Sequence, residues 1–196
     1  ADDMRIIWLA VFVLTFAWSA IEPREYATWA LEVSPAVIGL AVLACTRHTF
    51  PLTNLLYGLI LLHCVVLMVG GHYTYAEVPL FDGLFGAERN NYDKLGHFIQ
   101  GFVPAMIARE LLIRKQVVNG AAWRGLIIVC FCLAFSAFYE LLEWLVAVMI
   151  GSSADAFLGT LGYQWDTQTD MAMALLGAVT ALVTLARIHD KQLEQL

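Results

Sequence analysis

The sequence predicts an all-α fold, a polytopic membrane helix bundle of about six transmembrane helices in one domain over residues 1–196. Its 196 residues are 60% hydrophobic and 14% charged, with a mean hydropathy of +0.71. Soluble domains average about 45–50% apolar and about 25% charged residues. The apolar residues also form six runs, and several of these approach the ~20 residues that a helix needs to cross a bilayer.

The six runs define the expected spans in chain order. They lie at roughly 5–21, 33–47, 52–71, 96–113, 124–150 and 169–187. The first run contains "AWSA" near its end, which also resembles a signal-peptide cleavage site, and we expect this run to be retained as a helix. Residues 22–32 are expected to form an outer loop or an interfacial helix. Residues 72–92 are expected to form a longer outer loop because they are rich in glycine and charge.

The basic residues predict the orientation of these helices. Three of them, Arg24, Arg89 and Lys94, fall on one side of a six-helix arrangement. The other eight fall on the opposite side: Arg5, Arg47, Arg109, Arg114, Lys115, Arg124, Arg187 and Lys191. Because basic residues accumulate in cytoplasmic loops, we expect a multi-pass protein of the bacterial cytoplasmic (inner) membrane with both termini in the cytoplasm.

Charge and cysteine usage exclude several other classes of protein. The net charge of −6 and the lack of a basic cluster argue against a nucleic-acid partner, so membrane lipids are the expected partners. The four cysteines all lie within apolar runs and form no CxxC motif. We interpret them as small apolar packing residues.

Ionisable side chains are concentrated at the predicted outer ends of the helices. Asp93 and His97 open the fourth span, and Asp166 and Asp170 open the sixth. Glu140 and Glu143 lie in the fifth span, roughly 10–15 Å below its outer end at 1.5 Å per residue. The outer end of the third span adds His72, Tyr73 and Tyr75. Because residues three or four apart share a helix face, each carboxylate or imidazole pair can point toward the bundle interior.

Such a convergence of carboxylates predicts a cation. Without one, the groups would repel or hold their protons strongly. The predicted metal ligands are Asp93, His97, Glu140, Glu143, Asp166 and Asp170. An oxygen-rich set with one imidazole suits a divalent cation such as Mn, Fe, Zn or Mg. The candidate catalytic residues are His97 and Glu143, and the candidate substrate-binding residues are Arg89, Lys94, His72 and Tyr75.

Simpler interpretations of the same residues stay open. Asp93 and Asp166 could act as helix N-caps instead of metal ligands. His97 could make a structural hydrogen bond. The carboxylates could instead form a protonated network without metal. Glu110 and its basic neighbours are expected to mark the inner ends of the membrane-spanning helices, where charged residues are common. The inner half of the bundle is expected to have no set of polar residues comparable to the outer one.

Four blocks resemble the YjdF family of bacterial inner-membrane proteins, a domain-of-unknown-function family. They read "GGHYTYAEVPL", "ERNNYDKLGHFIQGF", "SAFYELLEW" and "WDTQTDM". The resemblance covers roughly residues 50–185, and a more distant one extends to the VanZ-like family. Together they imply a small helical bundle in the cytoplasmic membrane with shared acidic and histidine positions, and no particular chemistry.

Two of these blocks also resemble each other. "YDKLGHFIQG" and "WDTQTDMAMA" each begin with an aromatic residue and an Asp, followed four residues later by His or Asp. Both open helices that are expected to run from outside to inside, so a parallel duplication is one interpretation of the pattern.

These features leave two main function classes. The first is a metal-dependent hydrolase or transferase that acts on a lipid or lipid-linked headgroup at the outer side. The second is a non-catalytic protein that binds or transports an ion, a proton or a small molecule. The sequence shows no complete hydrolase motif for the first class and no inverted repeat for the second. A structural partner of another membrane protein is a third interpretation.

Overall fold

The part of the chain that the structure describes forms six α-helices. The computed structural model describes residues 2–79, 81, 90–150 and 164–196, and no strand occurs within them. In chain order the helices are α1 Asp2–Ser19, α2 Tyr26–Thr46, α3 Asn54–His72, α4 Tyr92–Arg114, α5 Ala121–Ile150 and α6 Asp166–Leu193. Each helix overlaps one predicted run, so the all-α prediction is confirmed.

Four of the helices are long and apolar enough to cross a membrane: α2, α3, α5 and α6. Helix α1 is less apolar because it carries Asp2, Asp3 and Arg5 within its 18 residues. Helix α4 has 23 residues, and its charged side chains lie near its two ends. The chain is therefore a polytopic helical membrane protein.

The structure corrects the prediction for residues 22–32. Helix α2 already begins at Tyr26, so this part of the segment is not a loop, and it continues directly into the second span. Glu25 precedes the helix with an extended backbone, and the Trp29 indole Nε1–H donates to Ser19 Oγ at 3.1 Å. Hydropathy placed the start of α2 too late because its first turns include the polar residues Thr28 and Glu32.

The chain divides into two compact units, and the first comprises Ala1–Pro51 and Tyr57–Asp93. A row of aromatic rings from α1 packs inside it: Trp8 stacks on Phe12, and Phe12 stacks on Phe16. The Trp8 indole donates to the Tyr57 carbonyl oxygen at 2.8 Å. Aromatic stacking and indole hydrogen bonds therefore hold this unit together. The predicted single domain over residues 1–196 stays a prediction.

The second unit comprises Leu52–Leu56 and Lys94–Leu196, and close backbone approach joins α4 to α6. A Cβ atom at Gly101 would lie 1.8 Å from the Ala174 carbonyl oxygen, and one at Gly177 would lie 2.0 Å from that of Phe98. Only glycine permits this spacing, as in other small-residue helix crossings. Contacts at the two ends, Lys94 with Asp166 and Arg109 with His189, advance together along both helices, so α4 and α6 run parallel.

Candidate functional site

The parallel crossing brings polar side chains together where α4 and α6 begin. We call Lys94, His97, Glu140, Asp166 and Asp170 the Lys94 cluster; all five belong to the second unit. Lys94 Nζ donates to Asp166 Oδ1 at 2.9 Å and to Asp170 Oδ1 at 2.5 Å. Both aspartates are buried, with exposed fractions of 6% and 3%. One ammonium group therefore bridges two carboxylates on successive turns of α6.

His97 lies one turn further into α4 and is buried, with 5% exposure. Its Nδ1 is 3.1 Å from Gln100 Oε1, and because an amide oxygen only accepts, Nδ1 is the donor. Its Nε2 is 3.7 Å from Glu140 Oε1 on α5 and 4.0 Å from Asp170 Oδ2 on α6. Three helices thus converge on this one ring nitrogen.

The Lys94 cluster gathers three carboxyl groups and one imidazole around one ammonium group. Buried charge of one sign is costly unless a counter-charge compensates it. Two ligand atoms each about 2.0–2.2 Å from one ion lie at most about 4.4 Å apart. The separations of 3.7 and 4.0 Å around His97 Nε2 fit that limit.

Three other predicted ligands or binding residues have different placements. Asp93 is half-buried in the first turn of α4, one turn before His97 on the same helix. Glu143 is half-buried on α5, three residues beyond Glu140. Arg89 lies outside the described residues. The metal and catalytic roles of these positions stay predictions.

His72 and Tyr75 lie in the first unit, where both make packing contacts. The His72 Nδ1–H donates to the Ser19 carbonyl oxygen at 3.0 Å, and its ring stacks 4.5 Å from that of Trp18. Tyr75 adopts a positive φ of 57°, and its ring fills the space where a Cβ of Gly70 would lie. These contacts give both residues a structural role, and their predicted role in substrate binding stays a prediction.

A second polar cluster, at the other ends of α4 and α6, contradicts the expectation that the inner half lacks one. We call Thr53, Arg109, Glu110, Arg114, His189 and Asp190 the Glu110 network. Glu110 is fully buried and is not an ordinary boundary residue. Its carboxylate accepts hydrogen bonds from Thr53 Oγ1 at 2.8 Å, Arg114 Nη1 at 2.8 Å and His189 Nε2 at 2.9 Å.

Arginine extends the Glu110 network through His189. The Arg109 Nη1–H group donates to His189 Nδ1 at 2.9 Å, and Arg109 Nη2 donates to Asp190 Oδ1 at 2.7 Å. Because guanidinium groups only donate, Nδ1 of His189 must accept, and its proton resides on Nε2 toward Glu110. Two guanidinium groups match two carboxylates, so this network is balanced in formal charge.

Comparison with known proteins agrees with this architecture. Residues 4–191 match a family described as "Predicted membrane protein (DUF2238)". The chain is 49% identical over 185 residues to the inner membrane protein YjdF of Escherichia coli (strain K12), which covers 93% of this chain and 88% of that protein. No solved structure matches the chain. The chain is thus a multi-pass inner-membrane protein, and it belongs to the DUF2238 family, as its resemblance to YjdF predicts.

Proposed function

We propose that this protein is a metal-dependent membrane enzyme that acts on a lipid or lipid-linked headgroup. The observation that supports the proposal most directly is the environment of His97 Nε2. That nitrogen faces Glu140 Oε1 at 3.7 Å and Asp170 Oδ2 at 4.0 Å, while Nδ1 is hydrogen-bonded to Gln100. A divalent cation at His97 Nε2 would draw a further ligand from the carboxylates beside that nitrogen.

A site with fewer than four protein ligands favours catalysis over a purely structural metal role. Structural sites are usually filled by four protein ligands, whereas catalytic sites keep a position for water or substrate. A bound Mn, Fe, Zn or Mg ion supplies Lewis acidity toward a phosphoryl or carbonyl oxygen. In this proposal His97 is a ligand, and the half-buried Glu143 transfers the proton.

The location of the cluster supports an anionic headgroup as substrate. The cluster lies at the starts of two helices, on the side that the basic residues predict to be outside. Lys94 retains 18% exposure of its side chain while it bridges Asp166 and Asp170, so it is accessible to a ligand. Together with Arg89, its ammonium group would bind a phosphate or carboxylate group of the lipid.

The Glu110 network raises proton or ion transport as a second candidate, because both ends of α4 and α6 carry buried ionisable groups. The packing between the two clusters argues against it. Gly101 and Gly177 close the helix crossing, and the buried residues of this stretch are mostly apolar, among them Ile99, Val103, Met106, Ala174 and Ala178. A proton pathway needs polar groups or water along this stretch.

Metal binding to the purified protein tests the proposal first. We expect about one Mn²⁺ per chain for the wild type, measured by electron paramagnetic resonance, and a loss of at least about tenfold in affinity for His97→Ala, Glu140→Gln and Asp170→Asn. Asp190→Asn is the matched control, since it makes the same change on α6 outside the cluster. A wild type that binds no divalent cation would favour a hydrogen-bonded carboxylate network instead.

Turnover tests the enzymatic part of the proposal. The protein is reconstituted in vesicles of phosphatidylethanolamine and phosphatidylglycerol, and released water-soluble headgroups are measured by mass spectrometry. We expect Mn²⁺-dependent release that stops with chelator and is lost in Glu140→Gln. Metal binding without release from these or from lipid-linked substrates would indicate a binding protein.

A further inference from the structure

We infer that Gln100 is a positioning residue that determines which ring nitrogen of His97 faces the proposed cation. The effect of Gln100 on metal binding rests on the proposed function. Its effect on the position of the ring proton of His97 does not. Gln100 lies three residues after His97 on α4 and is buried, with 8% exposure. Its side-chain oxygen lies 3.1 Å from Nδ1 of His97.

The hydrogen bond selects one tautomer of the neutral ring. A neutral imidazole carries one N–H, and with Gln100 Oε1 as acceptor that proton must reside on Nδ1. The lone pair of Nε2 then points toward Glu140 and Asp170, where a cation can accept it. A histidine that binds metal through one nitrogen usually donates its other N–H to an oxygen in this way.

Without Gln100 the opposite tautomer would be favoured. Two carboxylate oxygens at 3.7 and 4.0 Å attract a proton to Nε2, and a ring protonated there cannot bind a metal through that atom. The amide oxygen counteracts this attraction and restrains rotation of the ring. Gln100 thus keeps His97 available as a ligand when no metal is bound.

His189 provides a comparison within the same unit. There the partner of Nδ1 is Arg109, a donor, so the proton resides on Nε2 and bonds Glu110 at 2.9 Å. Both rings contact carboxylates through Nε2, yet the residue at Nδ1 differs in chemistry. An acceptor at Nδ1 leaves His97 ready to bind a cation, and a donor makes His189 part of a closed network.

Nitrogen-15 NMR of the histidine rings in metal-free protein tests the tautomer directly. The His97 signals are assigned by their loss in His97→Gln, and His189 serves as an internal reference. We expect Nδ1 of His97 to carry a proton in the wild type and in Gln100→Glu, which keeps an acceptor. We expect that proton to shift toward Nε2 in Gln100→Met. An unprotonated Nδ1 in the wild type, or identical spectra for Gln100→Met and wild type, would overturn the inference.

Mn²⁺ affinity then tests the consequence. We expect Gln100→Met to bind about 10–100-fold more weakly than the wild type, within the range for loss of a residue that orients a ligand. Gln192→Met is the matched control, because Gln192 is a glutamine on α6 whose Oε1 accepts the Leu55 N–H at 2.9 Å, away from the Lys94 cluster. A wild type that binds no metal but shows the expected tautomers would refute the proposed function and leave the role of Gln100 intact.

Discussion

The Lys94 cluster and the Glu110 network lie at opposite ends of α4 and α6, and they differ in the distances between their polar atoms. In the Glu110 network the side-chain hydrogen bonds around Glu110 and Arg109 measure 2.7–2.9 Å. In the Lys94 cluster, Lys94 makes short ion pairs, whereas His97 Nε2 stands 3.7 and 4.0 Å from two carboxylate oxygens. The polar atoms of the Glu110 network are thus in hydrogen-bond contact, whereas the separations around His97 Nε2 are longer.

This difference separates a structural role from a functional one. A buried network in which formal charges balance and donors match acceptors needs no ligand for its stability. Separations of 3.7 and 4.0 Å around His97 Nε2 instead fit two ligand atoms of one cation. Intramembrane ionisable groups are usually retained for function. The contrast leads to four expected outcomes, from the largest effect to the smallest.

Removal of the central carboxylate of the Glu110 network should have the largest effect. Glu110→Ala leaves His189, Arg114 and Thr53 without their common acceptor, and loss of one partner from such a buried network costs about 3–5 kcal/mol. We expect a large decrease in the apparent melting temperature in detergent. Glu194→Gln, an exposed change at the end of α6, is the control. An unchanged melting temperature for Glu110→Ala would show that the network is not structural.

A side chain at the helix crossing should be nearly as damaging. Gly101→Ala places a methyl group against the Ala174 carbonyl oxygen, and overpacking of this kind typically costs about 1–3 kcal/mol. Because the crossing aligns both clusters, Mn²⁺ affinity should fall together with thermal stability. Gly125→Ala on α5 is the matched control, since no atom lies within 4 Å of its added Cβ. Equal melting temperatures for the two variants would contradict the close crossing.

Loss of the resident ammonium group should make the Lys94 cluster depend on added cation. Lys94→Met leaves Asp166 and Asp170 without their shared partner, so the metal-free protein should melt at a lower temperature. A divalent cation at about 100 times its Kd would return about 2.7 kcal/mol if it binds the folded protein alone. Thermal melting with and without Mn²⁺ measures this. If Mn²⁺ also raised the melting temperature of His97→Ala as much as that of wild type, the cation would bind elsewhere.

The smallest effect should come from the exposed edge of the Glu110 network. Asp190 pairs with Arg109 at 2.7 Å, but its side chain is 54% exposed, so solvent weakens the pair. Asp190→Asn should therefore change the free energy of unfolding by no more than about 1 kcal/mol. Chemical or thermal unfolding of Asp190→Asn and Glu110→Ala, measured in parallel, compares the losses of unfolding free energy in the two variants. A loss as large as that of Glu110→Ala would mean that the network depends on its exposed edge.

Hydropathy predicted the helices well because a membrane span must satisfy its backbone internally and cover itself with apolar side chains. Helical spacing also predicted that His97, Glu140, Asp166 and Asp170 would converge, because residues one turn apart share a face. The role of Lys94 toward an anionic headgroup stays a prediction, and the sequence did not predict that its ammonium group bridges two aspartates. Spacing along one helix cannot show which side chain of a neighbouring helix lies opposite.

The sequence did not predict the Glu110 network, for a different physical reason. Arginines near a helix end indicate topology, and that signal is the same whether a guanidinium group is solvated or buried. The sixth apolar run ends near residue 187, yet α6 continues to Leu193 and so brings His189 into the protein interior. Gln100 was also overlooked, since a neutral amide within an apolar run gives no charge signal.

The glycine crossing has a consequence for how this protein can change by mutation. At Gly101 and Gly177 the opposing atoms are backbone carbonyl oxygens, which every amino acid carries. No substitution at Ala174 or Phe98 can remove them, so a larger residue at either glycine has no compensating partner on the facing helix. Selection for second-site suppressors of Gly101→Ala should therefore return true revertants or changes that shift a whole helix.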